Sequence, residues 1–338
     1  MTAGTPATVI ARPNPILTVL RKNTWTLGLL GFLAVLLLFT KVINPTYGAS
    51  AVQNLGIAVL PLALAAVGQA IVVMSGGIDL SIGSLMALTS VISASLMKSA
   101  IDQSPGSAEA ASVGIVLAVL VLGMLLGMVN GGLVVFTRVP DIVVTLAMSF
   151  VWAGCSLLVL VRPGGATAAW LKELVAGPLG SEWIPKSTVV MLVVVALVWI
   201  PVSRTRLGLS IYAIGSKRLA AFRSGVAVGP TRVMAYALMG LFAALGGLSL
   251  TATTGIGTPV PGPYTLMSVA AIVLGGVSLA GGRGGVFGPI VGVAVLQMIR
   301  TDMTFLKLDS NLATVLQGAI LIGVVMIGSF VEIRRARP

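Results

Sequence analysis

The sequence predicts an all-α polytopic membrane protein of about ten transmembrane helices, and three observations carry that prediction. Hydrophobic residues make up 57% of the 338 residues and charged residues only 9%. Soluble domains carry roughly 25% charged residues, so a surface this apolar needs lipid to cover it. Continuous apolar runs such as Met191–Trp199 lack the inside/outside alternation of a membrane barrel. The basic residues cap apolar stretches instead of gathering into a basic domain, which is an orientation signal. The formal charge of +12 therefore does not point to nucleic acid.

Taken in order, the apolar stretches fall at 25–43, 51–74, 81–98, 113–137, 141–161, 187–203, 230–252, 265–281, 285–300 and 312–332. The first follows a Pro/Thr/Ala-rich stretch over 1–24 with Arg12, Arg21 and Lys22. No apolar core precedes a small-residue cleavage site there, so this reads as a cytoplasmic tail and not a signal peptide. The loop from Lys98 to Ser112, with Asp102 and Glu109, then falls outside, as does the stretch holding Lys172, Glu173, Glu182 and Lys186. The segment between the sixth and seventh stretches falls inside, with Arg204, Arg206, Lys217, Arg218, Arg223 and Arg232 and no acidic residue. Arg334, Arg335 and Arg337 fall inside as well, so an even number of spans places both termini in the cytoplasm. The eighth and ninth stretches have short apolar runs in a Gly/Pro-rich region from Thr253 to Gly292. One of them can be broken or re-entrant, which membrane depth tolerates where protein or a water-filled cavity surrounds the backbone.

Polar residues that interrupt the spans are the informative ones. Asp79 lies in Ser75-Gly76-Gly77-Ile78-Asp79-Leu80-Ser81-Ile82-Gly83-Ser84, between the second and third spans. A carboxylate near bilayer depth costs at least about 2.5–3.5 kcal/mol, so such groups face a polar interior. Ser81 and Ser84 are placed to cap the next helix, with Asp79 near its positive end. Asp79 either caps that helix at the surface or lines a substrate path. The second interruption, Arg138-Val139-Pro140-Asp141-Ile142-Val143-Val144-Thr145, is an ordinary interhelical turn or a gate, with Pro140 suited to a first helical turn. The third is the polar segment from Ser203 to Thr231, in which Leu209–Arg223 draws as a short amphipathic helix or helix pair. Tyr212, Leu219 and Phe222 supply its apolar contacts, against lipid or a partner's groove. Cys155, the single cysteine, lies in an apolar stretch and reads as a packing residue.

At these places the chain resembles the permease subunits of ribose-type, or carbohydrate uptake 2, ATP-binding-cassette importers. Gly76-Gly77-Ile78-Asp79-Leu80-Ser81-Ile82-Gly83-Ser84 is similar to that family's signature with one conservative change. Asn130-Gly131, Val139-Pro140 and Ile142 to Leu146 resemble a second stretch. Ala213-Ile214-Gly215, Ala220-Ala221 and Ser224-Gly225-Val226 resemble its coupling segment, and Gly281-Gly282-Arg283-Gly284, Gly288 and Gln317-Gly318 its C-terminal pattern. The likeness covers roughly residues 45 to 330.

The resemblance implies a vitamin-B12-importer-like permease fold, with one transmembrane domain over 25–333 between tails at 1–24 and 334–338. It implies three kinds of partner: a sugar-importer ATPase with two nucleotide-binding domains, a periplasmic or lipid-anchored sugar-binding protein, and a second copy or paralogue of the permease. Asp79, Ser81 and Ser84 become candidates for the substrate path. Pro140, Asp141, Ile142 and Thr145 become candidates for an inner gate. Leu209, Tyr212, Gly215, Lys217, Arg218, Ala220, Phe222, Ser224 and Gly225 become candidates for contact with the ATPase. ATP and magnesium are expected on that partner. This chain has no G-x-x-x-x-G-K-[ST] phosphate loop, so it is read as a non-catalytic subunit without a cofactor or metal.

Some positions depart from the family pattern. Ser216-Lys217-Arg218 stands where Asn and acidic residues are usual, Asp141 and Ile142 where a small residue and Phe are common, and Arg300-Thr301-Asp302 in place of an Asn-rich turn. These leave homodimer and heterodimer both open. A branched-chain amino-acid permease is the nearest alternative. An ion-coupled secondary transporter would need several buried ionisable residues, and Asp79 alone is a candidate. With no histidine, a Ser-His protease and a His-liganded zinc site are excluded.

Overall fold

The computed structural model describes residues 24–309 and, beyond them, residues 311, 312, 315, 316, 318, 319, 322, 323 and 326. The tail before residue 24, the C-terminal tail and most of the tenth expected span lie outside the described residues.

Among the described residues seven helices are long and apolar enough to cross a membrane. They are α1 (Thr24–Ile43), α2 (Ala49–Met74), α3 (Ile82–Gln103), α4 (Ala108–Thr137), α5 (Asp141–Val159), α7 (Lys186–Arg204) and α10 (Val228–Thr254). Between α5 and α7 the chain forms a short helix α6 (Ala169–Val175) and an antiparallel ribbon of β1 (Pro178–Leu179) and β2 (Ser181–Pro185), neither of which the sequence reading anticipated. Two short helices follow α7, α8 (Arg206–Ser216) and α9 (Arg218–Arg223). The last two helices are α11 (Tyr264–Leu274) and α12 (Phe287–Phe305).

Two of the expected spans change. The eighth was drawn to residue 281, but α11 stops at Leu274 because Gly275 and Gly276 end it. Its 11 residues rise only about 16 Å, half the hydrocarbon thickness of about 30 Å. Irregular backbone then runs to α12, which extends past residue 300 to Phe305.

α2 is the axis of the bundle and is buried continuously from Val59 to Met74. It packs against α10, α12, α11 and α7. The tightest pair is α4 with α10, and its sequence cause is a stripe of small residues. A Cβ at Gly127 would fall on Tyr236 O, one at Gly123 on the Gly240 carbonyl, and one at Gly131 on the Tyr236 side chain. Without side chains at those positions the two backbones approach closely, which is how helices associate in lipid. By contrast, α1, α4, α5 and α7 leave most of their surface uncovered, as lipid-facing helices do.

One local structure occurs twice. At the end of α2, Gly76 N–H donates to Val73 O and Gly77 N–H to Val72 O, with Gly76 at φ 82°. At the end of α11, Gly276 N–H donates to Val273 O and Val277 N–H to Ile272 O, with Gly276 at φ 81°. Both are left-handed glycine terminations in which the orphan carbonyls of the last turn are satisfied. The loop that follows the second turn lies against the first. Gly282 N–H donates to Met74 O at 3.0 Å, and a Cβ on Gly281 would lie 3.0 Å from Gly76 Cα.

Candidate functional site

The Gly76–Ser84 segment reverses the chain between α2 and α3 inside the bundle. Asp79, Ser81 and Asn130 are each 0% exposed, and Ser84 is buried. Asp79 Oδ1 accepts from Ser81 N–H at 2.6 Å and from Ser81 Oγ at 2.7 Å. Asn130 of α4 donates through Nδ2 to Ser81 Oγ at 2.7 Å and, more weakly, to Asp79 Oδ2 at 3.4 Å. Trp152 of α5 donates through Nε1 to Asn130 Oδ1 at 3.2 Å. A low-dielectric interior makes such a connected network rigid when each member is satisfied. Ser81 does occupy the N-cap position of α3, but its hydroxyl does not cap the helix. The hydroxyl is committed to Asp79 and Asn130, so the capping role read for Ser81 is corrected, while the Asp79 carboxylate itself accepts from the Ser81 and Ile82 N–H groups at the start of α3. Asp79 is enclosed here by its own loop and by α4.

The Pro140–Thr145 segment meets the same loop. Thr145, fully buried, donates from Oγ1 to Asp141 O at 2.8 Å and accepts from Leu80 N–H at 3.0 Å. The start of α5 is thus fastened to the α2–α3 reversal, and two motifs some sixty residues apart form one structure. Pro140 sits at the N-cap position of α5, Arg138 closes α4 in the left-handed region at φ 58°, and Ile142 is exposed. Asp141 forms an ion pair with Arg232 of α10 and accepts from Tyr236 Oη at 2.8 Å. Arg232 is only 5% exposed, although in sequence it counted only as one of a run of basic residues. The absence of a side chain at Gly77 makes room for this cluster, since a Cβ there would collide with the Asp141 carboxylate and lie 3.0 Å from Tyr236 Oη.

The polar segment after α7 is a helix pair, α8 and α9. Ile211 and Ile214 bury its inner face, while Leu209, Leu219 and Phe222 are 67%, 60% and 66% exposed. Lys217, Arg218, Ala220 and Ser224 are exposed with them, and Gly225, at φ 82°, ends α9. Gly215 is wedged where a Cβ would strike Met74 O and the Gly282 backbone, so α8 touches both the end of α2 and the loop between α11 and α12. Tyr212 donates to Gly284 O at 3.1 Å, and burial pushes its phenol up, which keeps it a neutral donor. The outward face of the pair is therefore apolar and basic, without acidic residues.

Reading the sequence alone missed Trp152, Arg232 and Tyr236, and took Asn130 only as part of a motif. The signal for Arg232 was its position just inside an apolar stretch, where a charge needs a partner.

Seven membrane-length apolar helices around a buried polar reversal make this a polytopic membrane protein. The family model described as branched-chain amino acid transport system / permease component matches residues 51–325, and the chain belongs to that family. It is similar to the ribose import permease protein RbsC of Escherichia coli, 32% identical over 78% of this chain and 81% of the relative. It is similar to the galactose/methyl galactoside import permease protein MglC of Escherichia coli, at 32% over 80% and 83%. It is also similar to the D-allose transport system permease protein AlsC of the same organism, at 28% over 80% of each chain. No solved structure matches.

Proposed function

We propose that this chain is the membrane-spanning permease subunit of an ATP-driven importer that brings a monosaccharide, such as a pentose, hexose or deoxysugar, into the cytoplasm. One observation carries the reading: 32% identity to a ribose import permease over 274 residues, a length that includes the glycine reversal, the α5 turn and the helix pair. In this reading the bundle has ten spans with both termini cytoplasmic and a vitamin-B12-importer-like arrangement.

The exposed face of α8 and α9, with Leu209, Lys217, Arg218 and Phe222, would seat a partner ATPase that holds ATP and magnesium. This chain would carry neither. Its basic character favours an acidic groove on that partner. The Pro140–Thr145 segment, pinned through Asp141 to α10, would act as the inner gate. Asp79, Ser81 and Ser84 would border the path behind it. A sugar-binding protein would deliver cargo to the opposite end, and a second permease would complete the path.

Affinity purification in mild detergent tests the assembly. An ATPase with two nucleotide-binding domains should co-elute, and a second, different permease would settle heterodimer against homodimer. Reconstituted with those partners and its binding protein, the complex should take up labelled ribose, galactose or another monosaccharide only with ATP. Uptake of leucine instead would favour the amino-acid reading that the family description also covers. Uptake that needs a proton gradient and no ATP would overturn both.

A further inference from the structure

Two contacts converge on one hydroxyl near the C-terminal end of α1. Thr40 Oγ1 lies 2.8 Å from Leu36 O and 2.5 Å from Asp302 Oδ1 of α12. Leu36 O can only accept, and a threonine hydroxyl has a single hydrogen. If that hydrogen goes to Leu36, the approach to Asp302 needs a second one, and a protonated carboxyl is its source. The other Asp302 oxygen, Oδ2, is buried without a hydrogen-bond partner among the described residues, and the residue is 4% exposed. A buried carboxylate anion with one hydroxyl donor and no counter-ion is poorly compensated, because a charge taken out of water is costly unless it is paired and hydrogen-bonded. The neutral acid leaves only a carbonyl oxygen unfilled.

Among the described residues the neighbouring elements supply no counter-ion. α2 has no ionisable residue between Ala49 and Met74, and α11 has only Tyr264. On α1, Lys41 directs its ammonium to Pro45 O and Tyr47 O. Tyr47 Oη rests on Met298 Sδ. Arg300 on α12 is exposed, and neither it nor Lys307 forms an ion pair with Asp302 among the described residues.

We propose that Asp302 is a proton-binding site, held as the neutral acid, which donates to Thr40 Oγ1 while Thr40 donates to Leu36 O, and that this chain fastens α1 to α12. The consequence is specific because α1 is buried at few positions. Leu29 and Thr40 are its buried residues, Phe32, Leu33 and Leu36 pack against the core, and Trp25 Nε1 donates to Leu274 O at 2.8 Å at the opposite end. Removing the proton would leave a buried anion whose donor among the described residues is the Thr40 hydroxyl, which must then give up Leu36 O, and would loosen the Thr40 end of the helix. Docking of α1 would therefore weaken as pH rises, whatever the cargo of the transporter.

Infrared spectroscopy of the full chain in nanodiscs reads the proton directly. The difference spectrum between parent and Asp302→Asn at neutral pH should contain the carbonyl band of a protonated carboxylic acid. Carboxylate bands alone would overturn the proposal. If the Asn variant does not accumulate, Thr40→Val serves: the acid loses its acceptor, so its band should shift upward, and an unmoved band would reject the assignment. Thermal unfolding from about pH 4 upward is the second readout, because the loss begins where the unfolded aspartate ionises. The parent should lose stability relative to Asp302→Asn, whose amide donates to Thr40 at every pH, and parallel profiles would argue against a proton at this site.

Discussion

At the scale of single residues, the buried pair Arg232–Asp141 makes the sharpest prediction. Arg232→Ala leaves the Asp141 carboxylate buried against Tyr236 with no cation, and should cost about 3–5 kcal/mol, seen as a lower unfolding temperature. The double variant Asp141→Leu with Arg232→Met should be far less destabilised, because both charges go together. Asp79→Asn places an amide donor beside the Asn130 donor and should lose about 1–3 kcal/mol. It should still insert in the membrane but transport poorly, and normal uptake at matched expression would remove Asp79 from the site. The importance of Asp79 was legible in the sequence because a carboxylate in so apolar a chain has few tolerable places. The identity of its partners was not, because Asn130 and Trp152 reach it only through helix packing.

At the scale of elements, the α4–α10 contact depends on what is missing from its glycines. Gly127→Leu should cost about 1–3 kcal/mol or more, because the added side chain meets the Tyr236 backbone and no rotamer avoids it. Gly114→Leu on the same helix, where a Cβ meets nothing within 4 Å, should be close to neutral and serves as the control. Accumulation and thermal stability of the two proteins in detergent measure the difference. The long helices were readable from hydropathy because a span must be apolar over its full length. The short α11 was not, because its apolar run continues in composition past Gly275 while its backbone does not. The ribbon before α7 escaped for a different reason: with two and five residues, its strands carry too little periodicity to read.

At the scale of the whole molecule, the fold class followed from composition, and the family from motifs in their expected order. How those motifs assemble did not. The reversal after α2, the start of α5 and the base of α10 form one connected structure, and only the three-dimensional packing joins them. The proposed orientation predicts that a cysteine replacing Lys217 reacts with a membrane-impermeant thiol reagent only from the cytoplasmic side. One replacing Asp102 should react only from outside. The native Cys155 would be replaced in both. Labelling of both from one face would invert or abolish the assigned topology.

The wedge at Gly215 has a consequence of its own. Because α8 rests on the end of α2 and on Gly282 in the loop between α11 and α12 together, a displacement of α8 is felt at both places at once. Linkage then works in both directions: if an occupant of α8 favours one arrangement of the turns, cargo that favours the same arrangement must tighten that occupant's hold by an equal factor. Gly215→Ala, which drives a methyl into the wedge, should weaken this reciprocity more than it weakens either binding event alone.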